Sequence, residues 1–431
     1  MSLLSINHIH YRRPLRPCVA VCIDGSDPSY LARYLSRGEL PNIARFIREG
    51  FAGTAQSSVP AFTCPNNMSI ITGVPVSQHG ISGNYYLDTK TVSQHGISGN
   101  YYLDTKTWEP VVMTDPKLLM AQTILSGFAD AGARVVSITA KDKLRRQLQK
   151  DLDLTRGNIS FSAEYADQCT IEENGIDNVL TYVGEPLPGK YSAALSLFVL
   201  QAGLKLLRDR RPEVMYLSLT DFVQHRYAPE APEALSFYQK LDALFGLLAA
   251  EDINLGLTAD HGMSDMSLDN LEPHVLWLQD ILDAKFGKGE AVVICPITDA
   301  FVAHHGALGG LVRVWSKGSV STAQLIETIS SLPEVDIAVD KERAVRMFEL
   351  YPDREADVVV LAKEHVCIGT SRSKHDLNGL SGHRLRSHGS LHEMEVPFIL
   401  NRPLNDAYKE RAAAEALRNR HIFDYLINGT N

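Results

Sequence analysis

The sequence predicts an α/β fold: a core sheet flanked by helices, with a smaller α+β cap insertion. Three features of the 431-residue chain carry this expectation. Short β-branched runs alternate with segments of helical periodicity. Several of those runs end directly on polar residues. Between residues 266 and 367 the order changes to closely spaced strand-like runs, the pattern of a separate small sheet.

Taken in order, residues 18–23 (CVAVCI) read as a buried strand ending at Asp24-Gly25. A helix over Pro41–Glu49 follows, with proline in its first turn. Residues 118–131 have helical spacing and lead into a strand at 134–139. A helix at 193–210 precedes a strand at 214–219, and a helix at 234–250 precedes a strand at 253–258. Residues 396–400 (VPFIL) read as a strand and 411–427 as a final helix. In the variant stretch, strands are expected at 291–297, 310–315, 336–339 and 357–361, with a helix at 322–331. The expected division is therefore 16–265 for the first part of the core, 266–367 for the cap and 368–431 for the rest of the core. Asp24, Lys141, Asp221 and Asp260 all follow strands. Ligands of open α/β sheets bind outside the carboxyl ends of the strands, so these four point to one site.

A hydrophobic fraction of 45% with 22% charged residues reads as a soluble globular chain. No run of about 18 apolar residues predicts a membrane span. The first residues lack the apolar stretch of a secretory signal, which favours the cytoplasm. Six scattered cysteines suggest neither a disulfide framework nor a zinc knuckle. The net charge of -9 disfavours nucleic acid or an anionic membrane as partner and leaves a small anionic substrate open. Residues 76–91 (VSQHGISGNYYLDTKT) recur letter for letter at 92–107. A single perfect doublet is no solenoid. It reads as a very recent duplication, or an artefact of engineering or assembly, placed in a surface loop where insertions are tolerated.

Five segments carry candidate chemistry. Asp24 is either a metal ligand or a helix cap. Asp221 and His225 sit four apart, so a helix brings both to one face, where they can clamp an ion or form a surface pair. Asp260-His261, just past a buried strand and before a glycine, is the most specific short signal. His388 is a late candidate ligand, with His383 and His392 as competitors that spacing does not separate. Thr63, ahead of Cys64-Pro65 and a helical run, is either an N-cap or a nucleophile facing an anion at a helix N-terminus. Oxygen and nitrogen donors without thiolates suit Zn²⁺ before Mn²⁺ or Fe²⁺.

In this combination and order, the five segments resemble the alkaline phosphatase superfamily, over residues 20–400. The segments FTCPNNMSIITG, HGISGNYY, TAKDKLR, DFVQHRYAP and RSHG are similar to those of its phosphonoacetate hydrolase family. The resemblance implies an alkaline-phosphatase-like core and two zinc ions per chain. Asp221, His225 and His388 would hold one ion, and Asp24, Thr63, Asp260 and His261 the other. It further implies Thr63 as nucleophile, Asn84 on the phosphonyl oxygens, and Lys141 and Lys143 on the anionic ends of a small phosphonate. The implied reaction cleaves the carbon–phosphorus bond of phosphonoacetate. The repeat offers Asn100 as a second candidate for the asparagine: Asn84 keeps the spacing from Thr63, Asn100 that to the lysines. Asn84 is the expected contact. The competing readings are a nucleotide pyrophosphatase or phosphodiesterase of the same superfamily, a phosphoglycerate-type mutase, and a non-catalytic binding protein on the same fold. A homodimer is compatible with the sequence.

Overall fold

The computed structural model describes residues 3–87, 101–104, 109–112, 116–298, 306–380 and 382–430. Asn100 lies outside them. The core is a seven-stranded sheet of β1 (Cys18–Cys22), β2 (Phe51–Gln56), β3 (Val135–Thr139), β4 (Ile159–Ser162), β5 (Val214–Ser218), β6 (Asn254–Thr258) and β7 (Glu395–Leu400). Their order is β2-β7-β6-β1-β5-β3-β4. The five strands from β6 to β4 run parallel, and β7 is antiparallel to both of its neighbours.

All residues of those five parallel strands are buried. That is why they read as continuous apolar runs rather than alternating ones: helices cover both faces. Val19, Val21, Met215 and Leu217 face one cluster, with α1 (Pro28–Ser36), α2 (Pro41–Glu49), and later helices through Phe198, Leu241 and Phe245. Cys18, Ala20, Cys22 and Tyr216 face the other, with α3 (Thr63–Thr72) through Met68 and Ile71 and α4 (Ile124–Asp130) through Leu125 and Phe128. All six cysteines are free thiols. Further helices of the core include α5 (Asp142–Leu148), α6 (Ala194–Arg210), α7 (Phe222–Arg226), α8 (Pro232–Ala249) and α9 (Asp406–Ala414).

A four-stranded antiparallel sheet stands apart, in the order Ala291–Ile294, Leu311–Ser316, Val358–Ala362, Val335–Asp340. It has its own apolar cluster, which also takes in Val59, Phe62 and Val76 from the segments flanking α3. The second sheet is thereby packed onto the entry to that helix. No helix of the described residues is long and apolar enough to cross a membrane.

Two predicted helices differ from the structure. Residues 118–131 form a helix only from Ile124, because the Thr123 side chain accepts from the Ser126 N–H and caps it there. The helix expected at 411–427 is broken. α9 ends at Ala414, and the chain turns extended at Glu415 and Arg418. The Gln56 N–H donates to the Leu417 carbonyl at 2.9 Å, so this stretch supplies the edge strand β2 with a partner. Helical turns resume at Asn419–His421 and continue to Gly429.

Candidate functional site

The parallel strands end level. Thr258, Cys22, Ser218 and Thr139 are register partners across β6, β1, β5 and β3. Asp260, Asp24 and Lys141 each lie two residues beyond those ends, and Asp221 three. The rim therefore presents, side by side, three carboxylates and a lysine, all buried. Lys141 Nζ is 2.9 Å from Asp221 Oδ1.

The capping alternatives for Asp24 and Thr63 do not hold. α1 is capped by Asp27, whose Oδ1 accepts from the Ser29 N–H. The N-cap of α3 is Phe62, in extended conformation, which leaves Thr63 as the first helical residue. The Thr63 hydroxyl lies 3.4 Å from His261 Nε2 instead. Asp221 is the N-cap of α7 and His225 stands one turn on, with its N–H on the Asp221 carbonyl at 2.9 Å.

Three buried histidines converge here. Nδ1 of His225 lies 2.7 Å from the Arg386 carbonyl, that of His261 2.9 Å from the Gly262 carbonyl, and that of His388 2.7 Å from the Ala61 carbonyl. A carbonyl only accepts, so each Nδ1 carries the proton and each Nε2 is left as an acceptor. Yet His225 Nε2 sits 3.0 Å from Asp221 Oδ2, and His261 Nε2 3.3 Å from Asp24 Oδ1. Two acceptors facing each other at that distance are reconciled by a shared cation, whether a proton or a metal ion. Among the described residues, Asp24 Oδ1 has no hydrogen-bond partner of its own.

The electrostatics lead to the same conclusion. Burial, then the charges of Asp221 and Asp260, push the Asp24 carboxyl up to about 7. Burial pulls the His261 imidazole down, but Asp260, Asp24 and Asp221 outweigh it and push it up to about 9. His388 is held well below the usual range by burial and by the facing His261 and His225. The cluster draws positive charge.

Ligand atoms of Asp221, His225 and His388 lie within 4.8 Å of one another, and so do those of Asp24, Asp221 and His261. Asp221 thus belongs to both groups. Asp260 is engaged differently: Oδ1 accepts from the N–H groups of Gly25 (3.3 Å) and His261 (3.1 Å), and Oδ2 from Asn67 Nδ2 (2.9 Å). The donor set fits metal ions. It is oxygen- and nitrogen-rich, buried, and short of cations.

His383 and His392 lie elsewhere, against Arg226 and Asp336. Gly389, at φ 127°, lets the chain pass Phe62 beside His388; a Cβ there would meet Phe62 Cε1 at 2.3 Å. Asn84 is buried above the start of α3, where its Oδ1 accepts from the Cys64 N–H at 3.1 Å. The Cys64 side chain joins the apolar cluster of that sheet face. Lys143 is half-buried on α5.

Two residues escaped the sequence reading. Arg386 donates to the Gln224 carbonyl while its own carbonyl holds His225. Asn67, one turn after Thr63, accepts from Tyr216 Oη (2.7 Å) and Ser218 Oγ (3.0 Å), which aims its amide N–H₂ at Asp260. Its only sequence signal is the four-residue spacing from Thr63. Asn67→Leu is expected to weaken metal binding by about 10- to 100-fold in a chelator-competition titration, because Asp260 loses its orienting donor. Unchanged affinity would remove Asn67 from the support of the site.

The family described as type I phosphodiesterase / nucleotide pyrophosphatase matches residues 18–390. Phosphonoacetate hydrolase from Sinorhizobium meliloti 1021, solved in complex with phosphonoformate and with phosphonoacetate, is 42% identical over 100% of both chains, with a TM-score of 0.90. A bis(5'-adenosyl)-triphosphatase of Xenopus laevis is 25% identical over 278 residues, 59% of this chain and 52% of its own. The chain spans about half the length of that curated relative and 27% of human ectonucleotide pyrophosphatase/phosphodiesterase family member 1. Murine ectonucleotide pyrophosphatase / phosphodiesterase 5, at 16% identity over 96% of both chains and a TM-score of 0.62, shares the fold. The chain belongs to the type I phosphodiesterase / nucleotide pyrophosphatase family, within the alkaline phosphatase superfamily.

Proposed function

We propose that this protein hydrolyses the carbon–phosphorus bond of phosphonoacetate, giving acetate and phosphate. The observation that carries the reading is the buried Lys141 on the same rim as Thr63 and the Asp/His groups, a cation set beside a phosphoryl-transfer site. The full-length likeness to a phosphonoacetate hydrolase supports it.

The chemistry sets three requirements. The leaving group is a carbanion at carbon, so the substrate carboxylate must take up its charge as an enediolate. A nucleophile must reach phosphorus, and the phosphonyl oxygens must be held. Thr63 attacks phosphorus from the first position of α3, whose N-terminus favours the anion. Asn84 donates to a phosphonyl oxygen. Lys141 and Lys143 offset the substrate's carboxylate charge. The phosphorus–carbon electron pair passes to carbon, which takes a proton and leaves as acetate. Water then releases phosphate from Thr63. Two zinc ions, one on Asp221, His225 and His388 and the other on Asp24, Thr63, Asp260 and His261, would supply Lewis acidity for both steps.

Phosphate release from phosphonoacetate, with and without chelator and beside a nucleotide diester, tests the reading. Cleavage of the diester alone would replace it with the nucleotide pyrophosphatase reading, with which the family match is also compatible. Lys141→Ala is expected to cost about 10- to 100-fold on phosphonoacetate, the worth of a hydrogen-bonded charge, and far less on an aryl phosphate ester without a carboxylate. Equal losses on both substrates would argue against a carboxylate role.

A further inference from the structure

The segment from Val76 to Asn84 is held chiefly by the second sheet and the chain around it. The Ser77 N–H donates to the Glu349 carbonyl (2.7 Å), Arg354 Nη1 to the Gly80 carbonyl (2.6 Å), and the Asn84 N–H to the Pro296 carbonyl (2.9 Å). At the centre is Arg313, with no exposed surface. It stands on the strand Leu311–Ser316, which is paired on both sides through Ile294 and Val359. Its guanidinium grips Glu355 at two points (Nε–Oε1 2.5 Å, Nη2–Oε2 2.8 Å), and Nη2 also donates to the Ser82 carbonyl at 2.8 Å. Glu355 Oε1 is fixed in turn by the Ala356 N–H.

A buried ion pair is weak evidence for stability, because desolvating both charges offsets their attraction. Among the described residues Arg313 Nη1 also lacks a hydrogen-bond partner, which adds to the cost. What the pair does provide is direction: a planar fork locked by Glu355 and aimed at the backbone two residues before Asn84. On the far side Asn84 reaches the Cys64 N–H, next to Thr63.

We propose that Arg313 is a positioning residue for Asn84, transmitting the rigid frame of the second sheet to the asparagine through the Ser82 carbonyl. The proposal rests on the reading of Asn84 as the phosphonyl contact. A displacement of about 1 Å at such a contact costs on the order of 10²-fold in rate.

The test is a double-mutant cycle on the full, metal-loaded chain with Arg313→Met, Asn84→Ala and both together. Arg313→Met should lower kcat/KM for phosphonoacetate about 100-fold at unchanged metal content. In the Asn84→Ala background it should cost less than about threefold more. Arg313→Met/Glu355→Met removes both buried charges together, which protects folding, and should show the same loss. Arg313→Lys, which keeps the charge without the fork, should recover only part of it. Losses that multiply in the cycle, or full activity in Arg313→Met/Glu355→Met, overturn the proposal. If the wild-type chain does not cleave phosphonoacetate, the functional reading fails. The cycle is then read from inorganic phosphate binding by calorimetry, where both single variants should weaken affinity equally and non-additively. Additive weakening overturns the positioning role there too.

Discussion

Thr63→Ala is expected to abolish phosphate release from phosphonoacetate, by about 10⁴-fold or more, while metal content stays near that of the wild type. The fold should survive, because α3 is capped by Phe62 without a side-chain bond and Thr63 contributes no cap. The hydroxyl instead lies beside His261 Nε2 at 3.4 Å, among groups that draw positive charge, where bound cations would stabilise an alkoxide. Thr63→Ser, which keeps the hydroxyl, should retain measurable turnover. Steady-state phosphate release and metal content decide the matter together: a Thr63→Ala chain with undiminished cleavage would remove this residue as nucleophile.

Stripping the metal ions is expected to have an effect of similar size on activity and a second one on stability. Asp24, Asp221 and Asp260 are buried with Lys141 as their nearby lysine, and two Nε2 atoms face carboxylate oxygens. Ions that bind only this folded arrangement, at about 1,000 times their Kd, add about 4 kcal/mol each. For a chain of this length that corresponds to roughly 5–10 °C in Tm for two ions. Dialysis against chelator should therefore abolish turnover and lower Tm, and Zn²⁺ should restore both. A chelated chain that keeps its activity and its Tm would overturn the metal-dependent reading.

The core sheet was legible because parallel strands buried on both faces leave an unmistakable trace, as CVAVC and VMYLS do. The break at residues 415–418 was not. It arises from pairing with Gln56, far away in sequence, while the helical spacing of 411–427 continues through it. The same division runs through the site. Asp221 and His225 could be paired from their spacing on a helix, and Asp260-His261 from its place after a strand. That Asp221 is shared between two ligand groups depends on β6, β1 and β5 lying side by side, which no local pattern encodes. Arg313 sits within a strand as a charge, and only Glu355 and Ser82, brought to it by the fold, explain its burial.

The level ends of the parallel strands fix the scale of this site. Neighbouring strands stand about 4.8 Å apart, and ions in two-metal sites about 3.5–4 Å apart. Asp260, Asp24 and Asp221 rise from three consecutive strands, so backbone hydrogen bonding acts as the ruler for the spacing of the charges. The two or three residues from each strand end to its aspartate, and the length of the side chain, set the remaining distance. An aspartate lengthened to glutamate at any of the three keeps the chemistry of its donor yet overshoots a gauge laid out by the strand ends.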